Sequence, residues 1–318
     1  MSTTIWPWLP TELIESIISE AWSLPLSAID RSTFITSSSL VNKSWAAAFV
    51  KISLQDVHIP NIHYAQQYLR IVRNESPVYA ERSQTFPDLL CSSLSFTLDT
   101  HGSTVGQHPM FIVPFGELDK LGTMLSNMLY EIDTLSYLPN LRRLSVEYAN
   151  WGFSDIFDNF RLSSFPAQVP ELEIKFTATS GIGGVSRRYH RHTGRVPWSL
   201  PFITHLSIVG ACEEFIVDMV ATCPNLETLE IGNTPRLGVL ASLPCNIHTV
   251  ILRRPYNGSR RGHIKALVGA LMAGLLSTSP SRGLRIILEW SEVEKSTWMW
   301  LEEIALNRGV QLVHQLCE

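Results

Sequence analysis

The chain has 318 residues, with 25 Lys and Arg against 29 Asp and Glu, for a formal net charge of −4. Charged residues make up 17% and hydrophobic residues 45%, enough apolar material for a sizeable core, so wholesale disorder is excluded. The mild acidity argues against a protein that mainly grips a phosphate backbone, and the length suggests about two domains.

No basic segment precedes an apolar run at the N-terminus, and Glu12 and Glu15 interrupt the first candidate, so no signal peptide is expected. The longest uncharged apolar run, Ala266 to Leu276, holds two glycines and falls short of the ~18 residues a membrane span needs. Cys91, Cys212, Cys223, Cys245 and Cys317 are odd in number and lack Cys-x-x-Cys spacing, which argues against a disulfide framework or a zinc site. The glycosylation sequons at Asn42 and Asn257 are read as chance without a signal peptide. The composition fits the reducing cytosol or nucleus, with no membrane partner.

Leu9-Pro10-Thr11-Glu12 opens a first helix. Pro10 suits the first helical position, where its missing N–H is no loss, and Glu12 meets the positive end of the helix dipole. Leu13, Ile14, Ile17, Ile18 and Ala21 recur at helical spacing and make an apolar face. After Ser23-Leu24-Pro25, a second helix is expected over about residues 30–41. A short alanine-rich third is expected over about 44–51, with Trp45, Ala48 and Phe49 on one face. Three short helices with this much apolar surface need each other or a partner to bury it. Tyr64 to Val72 reads as helix, Cys91 to Leu98 alternates as a strand, and His101 to Pro114, rich in Gly, His and Pro, reads as loop.

From about residue 120 a repeat emerges. Its best copy spans Ile203 to Ile231: a strand from Thr204 to Ile208, then an amphipathic helix from Glu213 to Thr222 with Phe215, Ile216, Met219 and Val220 inward. Cys223-Pro224-Asn225-Leu226-Glu227-Thr228-Leu229-Glu230-Ile231 leads into the next strand, and Leu138-Pro139-Asn140-Leu141-Arg142-Arg143-Leu144-Ser145-Val146 is the same phrase. Weaker copies centre on Leu172, Val250 and Ile286. The strand positions Leu144, Leu172, Leu206, Leu229, Val250 and Ile286 are 28, 34, 23, 21 and 36 residues apart. Leucine-rich repeats run roughly 20–29 residues, so the longer intervals imply insertions. A last helix is expected over about 292–307, with Ser291 and Glu294 as a capping box and Gly309 as its stop, followed by a strand at Val310 to Val313. A unit of one strand and one helix cannot bury its apolar side alone. Stacked neighbours make a continuous core under a curved parallel sheet. An ordinary α/β domain is the alternative.

The segment over roughly 6–52 resembles the F-box. The resemblance rests on Leu9-Pro10-Thr11-Glu12-Leu13, then Ile17 and Ile18, then Leu40-Val41-Asn42-Lys43-Ser44-Trp45, against the family's Leu-Pro-x-Glu-Leu, following Ile, and Leu-Val-x-Lys-x-Trp. The rest is similar to the irregular leucine-rich repeats that follow F-boxes in many fungal proteins. The linker between the first two helices is longer than the family's, which a loop tolerates, and Asn42 stands where Cys or Ser is usual. The resemblance implies an α/β chain in three parts. Residues 1–55 would be a small all-α three-helix F-box-like module, 56–120 a linker or first irregular repeat, and 121–318 an irregular leucine-rich-repeat solenoid with a parallel sheet. It further implies docking onto the small Skp-type adaptor of an SCF-type cullin-RING ubiquitin ligase, with the repeats recruiting a protein target. No catalytic residue, metal or cofactor is then expected on this chain. Leu9, Pro10, Leu13, Ile17, Leu40, Val41 and Trp45 are the candidates for the docking surface. Some of these, Ile17 and Trp45 above all, could equally be core between the helices.

Alternation along the strands assigns an outer face: Arg143, Ser145, Glu147, Glu171, Glu173, Lys175, His205, Ser207, Glu230, Arg253, Arg285 and Glu289. Of these, Arg143, Glu147, Glu173, Lys175, His205, Glu230, Arg253 and Arg285 are the candidate target contacts. Mixed charge suits a protein target better than a polyanion, and a merely solvated face is the alternative.

No HExxH, GxSxG or P-loop is present. Gly181-Ile182-Gly183-Gly184 has Ser186 where a dinucleotide fingerprint needs its third glycine and reads as a flexible loop. His190 and His192 have the spacing of a strand-borne metal pair, but Arg187, Arg188 and Arg195 around them would repel a cation. Arg187, Arg188, Arg191 and Arg195, and again Arg253, Arg254, Arg260 and Arg261, are basic clusters that either accept an acidic or phosphorylated segment or are solvated loops. Without interleaved aromatics they do not suggest nucleic acid. Trp298 and Trp300, near Trp290, cannot share a helix face, so one should be exposed or cap the end of the stack. Two other readings remain. One is a repeat scaffold with no ligase link, marked by burial of Leu9, Pro10 and Leu13 against the repeats. The other is an α/β enzyme, marked by a deep pocket with convergent polar groups.

Overall fold

The computed structural model describes residues 9–24, 26–76, 90–99, 115–149, 165–177, 199–232, 237, 240, 243–244, 246–253, 260–272, 283–289 and 294–315. At 28, 99, 115–122 and 260–263 it describes the backbone alone. The loop expected at His101 to Pro114, the Gly181–Gly184 turn, His190, His192 and their arginines, Cys245, Arg254, Trp290, Ser291 and Cys317 lie outside the described residues.

Three helices come first: α1 (Thr11–Ser23), α2 (Ala28–Val41) and α3 (Lys43–Gln55). Helix α1 opens one residue later than expected, because Pro10 sits at the N-cap, where its carbonyl accepts the Leu13 and Ile14 N–H groups at 3.1 Å each. Asn42 caps α3: its Oδ1 accepts the Trp45 N–H at 2.8 Å, satisfying a helix-terminal donor that has no partner within the helix. Ile14, Ile18 and Trp22 recur every four residues and meet Ala48, Phe49 and Ile52 of α3 in a small core that Phe34, Ile35 and Trp45 partly cover. Trp22 is its centre, with ring centroids 5.4 Å from Phe49 and 6.1 Å from Phe34. Arg31 is buried and lies over that indole, 4.7 Å from the centroid, and donates to the Trp22 and Leu24 carbonyls. These bonds hold α2 to the end of α1.

Helix α3 runs straight into β1 (Asp56–Ile59), a strand the sequence did not reveal. Trp22 Nε1 donates to the Asp56 carbonyl at 2.8 Å and fixes the helical module to this first strand. There follow α4 (Ile62–Val72), β2 (Ser93–Asp99), α5 (Phe115–Thr134), β3 (Arg143–Ala149), β4 (Glu171–Thr177), β5 (His205–Val209), α6 (Glu213–Thr222), β6 (Thr228–Gly232), β7 (Thr249–Arg253), α7 (Arg260–Met272), β8 (Arg285–Glu289), α8 (Lys295–Asn307) and β9 (Gln311–His314). The nine strands form one open sheet in sequence order, every neighbouring pair parallel.

This order has a physical consequence. Crossovers between parallel strands are right-handed, so strands added always on the same side put their crossovers on one face. Accordingly α4 to α8 share one continuous core with the inward strand residues, while on the other face Trp22 of α1 packs on the outward His58 of β1, ring centroids 5.4 Å apart. The positions aligned from sequence are lateral partners. Leu144, Leu172, Leu206, Leu229, Val250 and Ile286 lie in one row, which extends through Leu94 to Val57 and on to Leu312. Burying each such side chain is worth about 1.5–3 kcal/mol, and a one-residue slip would turn the whole row outward, so the register is strongly fixed.

The Pro-Asn phrase before β3 and β6 is also explained. The Leu141, Leu226 and Ile247 N–H groups close tight turns onto the carbonyls three residues back. The side-chain amide of the third residue of such turns bonds the preceding unit: Gln168 to the Tyr137 and Leu138 carbonyls, Asn225 to Pro201, and Asn246 to Pro224 and Leu226.

Elsewhere expectation and structure differ. Helix α5 was not anticipated, and Arg260 and Arg261, read as a loop cluster, begin α7. Helix α8 starts with Glu294 at the N-cap and no side-chain cap bond, so the expected capping box is not what opens it. Gly309, at φ +71°, does end it. Trp298 packs on the core beside the His314 ring, while Trp300 is exposed.

Candidate interaction surfaces

The first surface belongs to the helical module. Leu9, Leu13, Ile17, Leu40 and Val41 are between 47% and 80% exposed, and Pro10 is exposed beside them. Leu24 and Ile29 join them, which the sequence reading did not include. Fourteen large hydrophobic residues are exposed among the described ones, and seven of them lie within residues 9–41. Such concentration marks an interaction surface, since soluble proteins otherwise scatter these residues singly. On α1 the stripe Leu13 and Ile17, with Leu24 just past the helix end, lies about a third of a turn from the buried stripe Ile14, Ile18 and Trp22. The helix therefore presents one apolar stripe to its own core and a second to solvent. Ile17 is surface. Trp45 departs from the expected set: it is half-buried against the helical core, and its Nε1 is buried with no partner among the described residues. Leu9, Pro10 and Leu13 are exposed, so the burial against the sheet that would favour the scaffold reading is absent at these three residues.

The second surface is the outer face of the sheet from β3 to β7, away from the α1 contact at β1. Arg143, Glu171 and His205 are lateral neighbours, as are Ser145, Glu173, Ser207 and Glu230 one level along. Arg143 Nη2 donates to Glu173 Oε2 at 2.8 Å, and Ser145 Oγ donates to the same oxygen at 2.9 Å. Arg253 Nη1 lies 3.8 Å from Glu173 Oε1, and its Nε pairs with Glu230 Oε1. His205 Nε2 is 3.5 Å from Glu230 Oε2. Arg143, Glu171, Glu173, His205, Ser207, Glu230 and Arg253 line a hollow of about 140 Å³.

Burial works to raise the Glu173 pKa, but the charge and hydrogen bond of Arg143, the Ser145 hydroxyl and the Arg253 charge together hold it below the ordinary value. His205 is held below its ordinary value by burial first, then by Arg143 and Arg253, against the opposing pull of Glu171 and Glu173. Of the other candidate contacts, Glu147 and Lys175 pair at 3.6 Å outside the hollow, and Arg285 is exposed on β8, also outside it.

Glu230 and Ser207 were expected as exposed face residues. They do point to that face, but they are buried, and Glu230 lies beneath Arg253. The signal was present in sequence: Ile251 and Ile287 continue the same row as apolar outer residues, and Gly232 follows Glu230 without a side chain. Ser207 Oγ has no base within hydrogen-bond reach among the described residues, so the hollow lacks an activated nucleophile. Burial pushes the thiols of Cys91 and Cys223 each up to about 11, away from thiolate chemistry. No described helix is long and apolar enough to cross a membrane. The chain matches no protein-family model and no curated protein.

Proposed function

We propose that the chain is a target-recognition adaptor of an SCF-type ubiquitin ligase, built as an F-box-like helical module followed by an irregular leucine-rich-repeat solenoid. The observation that carries this reading is the second apolar stripe of α1, with Leu40 and Val41 at the end of α2. It stays open to solvent on a module that already has its own core. A helical unit with a spare apolar stripe is what a helix-docking partner such as a Skp-type adaptor would cover. The solenoid reading is supported by nine parallel strands in sequence order, one shared apolar row, and turns bonded to the preceding turns by Gln168, Asn225 and Asn246. Its outer face, with Arg143, Glu173, His205, Glu230 and Arg253, is the target-binding surface, and the ligase chemistry lies on other subunits in the cytoplasm or nucleus.

Co-purification with a Skp-type adaptor tests the reading. The wild-type chain is expected to co-elute and the Leu9→Ala/Pro10→Ala variant, still folded by circular dichroism, to elute alone. A folded wild-type chain that forms no complex would leave a repeat scaffold whose N-terminal helices have another partner.

A further inference from the structure

The hollow on the sheet face leaves acceptors unfilled. Its two deeper carboxylates are Glu173 on β4 and Glu230 on β6, and Ser207 on β5 stands between them in one lateral row. Only Glu173 Oε2 is well supplied, by Arg143 Nη2 at 2.8 Å and Ser145 Oγ at 2.9 Å. The 3.8 Å contact of Arg253 with Glu173 Oε1 and the 3.5 Å contact of His205 with Glu230 Oε2 are ion pairs and not hydrogen bonds. Arg253 Nε pairs with Glu230 Oε1 by charge, yet that buried oxygen takes no hydrogen bond among the described residues. The buried Ser207 hydroxyl beside it has no partner there either. Glu230 and Ser207 are each 5% exposed and line the hollow, so two polar atoms at its floor lack the hydrogen bonds that buried groups ordinarily make.

Charge points the same way. Among the lining residues Arg143 and Arg253 face Glu171, Glu173 and Glu230, which leaves one net negative charge with His205 neutral. Glu289 Oε2, 3.9 Å from Arg253 Nε, adds another carboxylate beside them. Arg253 is thus the resident cation among Glu173, Glu230 and Glu289, and its side chain is still 41% exposed. Its planar fork leaves the Glu230 oxygen and the Ser207 hydroxyl without a hydrogen bond. An ammonium is compact and carries three rotatable donors, which can serve a carboxylate and a hydroxyl on adjacent strands at once. A carboxylate or phosphate would add to the net negative charge. Among the described residues no group of three or more His, Cys, Asp and Glu side chains is placed to hold a metal ion, which leaves an organic cation. The hollow, of about 140 Å³, takes one such group with part of its methylene stem. Resting on the target-binding reading above, we propose that this hollow receives one lysine side chain of the protein target. Its ammonium takes the place of the Arg253 guanidinium over Glu230 and donates to the Glu230 carboxylate and the Ser207 hydroxyl, while Arg253 turns outward.

His205 reports on the occupant. It is faced by Arg143 from β3, Glu171 and Glu173 from β4, Glu230 from β6 and Arg253 from β7. An entering ammonium adds a positive charge and competes with the imidazolium for Glu230, so binding releases protons and weakens as pH falls below the ordinary histidine value of 6.5. An entering anion would do the reverse.

The test is an NMR titration of the full chain with blocked Gly-Lys-Gly tripeptide and its acetyl-lysine, Arg and Glu counterparts, with the His205 ring signals assigned by His205→Gln. The Lys peptide is expected to shift those signals saturably and lower the His205 pKa. The acetyl-lysine and Glu peptides should leave them in place, and the Arg peptide should bind more weakly than Lys. Glu230→Gln and Ser207→Ala should each weaken the Lys peptide about fivefold or more, and Arg253→Gln, which removes the resident cation, should tighten it by a similar factor. Ser207→Ala removes only a hydroxyl without a partner among the described residues and should unfold no earlier than wild type, so its loss of binding is not a loss of folding. No saturable response to Lys, an equal response to acetyl-lysine, tighter binding of Arg or Glu, or weaker binding in Arg253→Gln overturns the assignment. Because this titration needs no ligase component, its failure alongside intact adaptor binding removes the lysine assignment alone. The converse pattern removes the ligase link alone.

Discussion

Arg253 on β7 reaches Glu173 on β4, three strands away, with 3.8 Å between Nη1 and Oε1. Gly232 on β6 makes room for this. A Cβ there would stand 3.4 Å from the Arg253 Cβ and 3.2 Å from Val209, already tight, and any longer side chain would cross the arginine's path. Arg253 thereby adds, after burial and Arg143, to the electrostatics of Glu173 and His205, lowering the pKa of each. Arg253→Gln is therefore expected to raise both, a joint upward shift readable by NMR pH titration. Movement of only one of them would break the link between the two.

Stability should fall on acidification in two stages. Glu173 and His205 both have folded values below their ordinary 4.5 and 6.5, so the unfolded chain binds protons more readily. The stability each contributes is present above the ordinary value and lost as pH falls through the folded one. The His205 window opens below 6.5 and the Glu173 window below 4.5. Urea midpoints against pH should show the upper stage vanish in His205→Gln while the lower one persists.

Two glycines separate strain from crowding. Gly210, at φ +79°, ends β5, and a Cβ there would overlap the Phe176 carbonyl oxygen. Gly309, at φ +71°, has open space around it. Gly309→Ala meets only the left-handed backbone penalty and should cost about 1 kcal/mol. Gly210→Ala adds a backbone clash and should cost about 3 kcal/mol or more. Chemical denaturation of the two variants gives the comparison directly.

The helical module should come apart before the sheet. Its core is separate from the main one and centred on Trp22, whose indole also bonds the Asp56 carbonyl. Trp22→Ala should cost the module about 3–5 kcal/mol. Limited proteolysis is expected to cut within residues 11–55 while the strands β2 to β9 stay protected. Uniform digestion would mean that the two cores fold as one.

The strand face was legible because burial imposes a period of two. Leu144 through Ile286 could be aligned by eye, and they proved to be lateral partners. Strand β1 was not legible: its four residues hold only Val57 and Ile59 as inward positions, directly after a helix, too short a run for a period to show. Helix α7 was hidden by its opening Arg260-Arg261-Gly262 and by Gly269, which weaken helical propensity and mimic a loop. The outward stripe of α1 was visible as a resemblance, yet sequence alone could not say whether Ile17 or Trp45 faced inward. Packing against the small core of the helical module decided that for the tryptophan. In the hollow, the residues were foreseen but their depth was not, because the burial of Glu230 depends on an arginine arriving from the next strand.

The most direct test is the affinity of the purified chain for a purified Skp-type adaptor, compared between wild type, Ile17→Asp/Leu40→Asp and the control Met299→Asp. Met299 is an equally exposed apolar residue on α8, remote in sequence from the module. Tight binding by wild type and control, with at least a hundredfold loss in the double variant and unchanged thermal unfolding, is expected if the open stripe of α1 and α2 docks the adaptor. Equal affinity of the double variant, or no binding by a folded wild type, would contradict it.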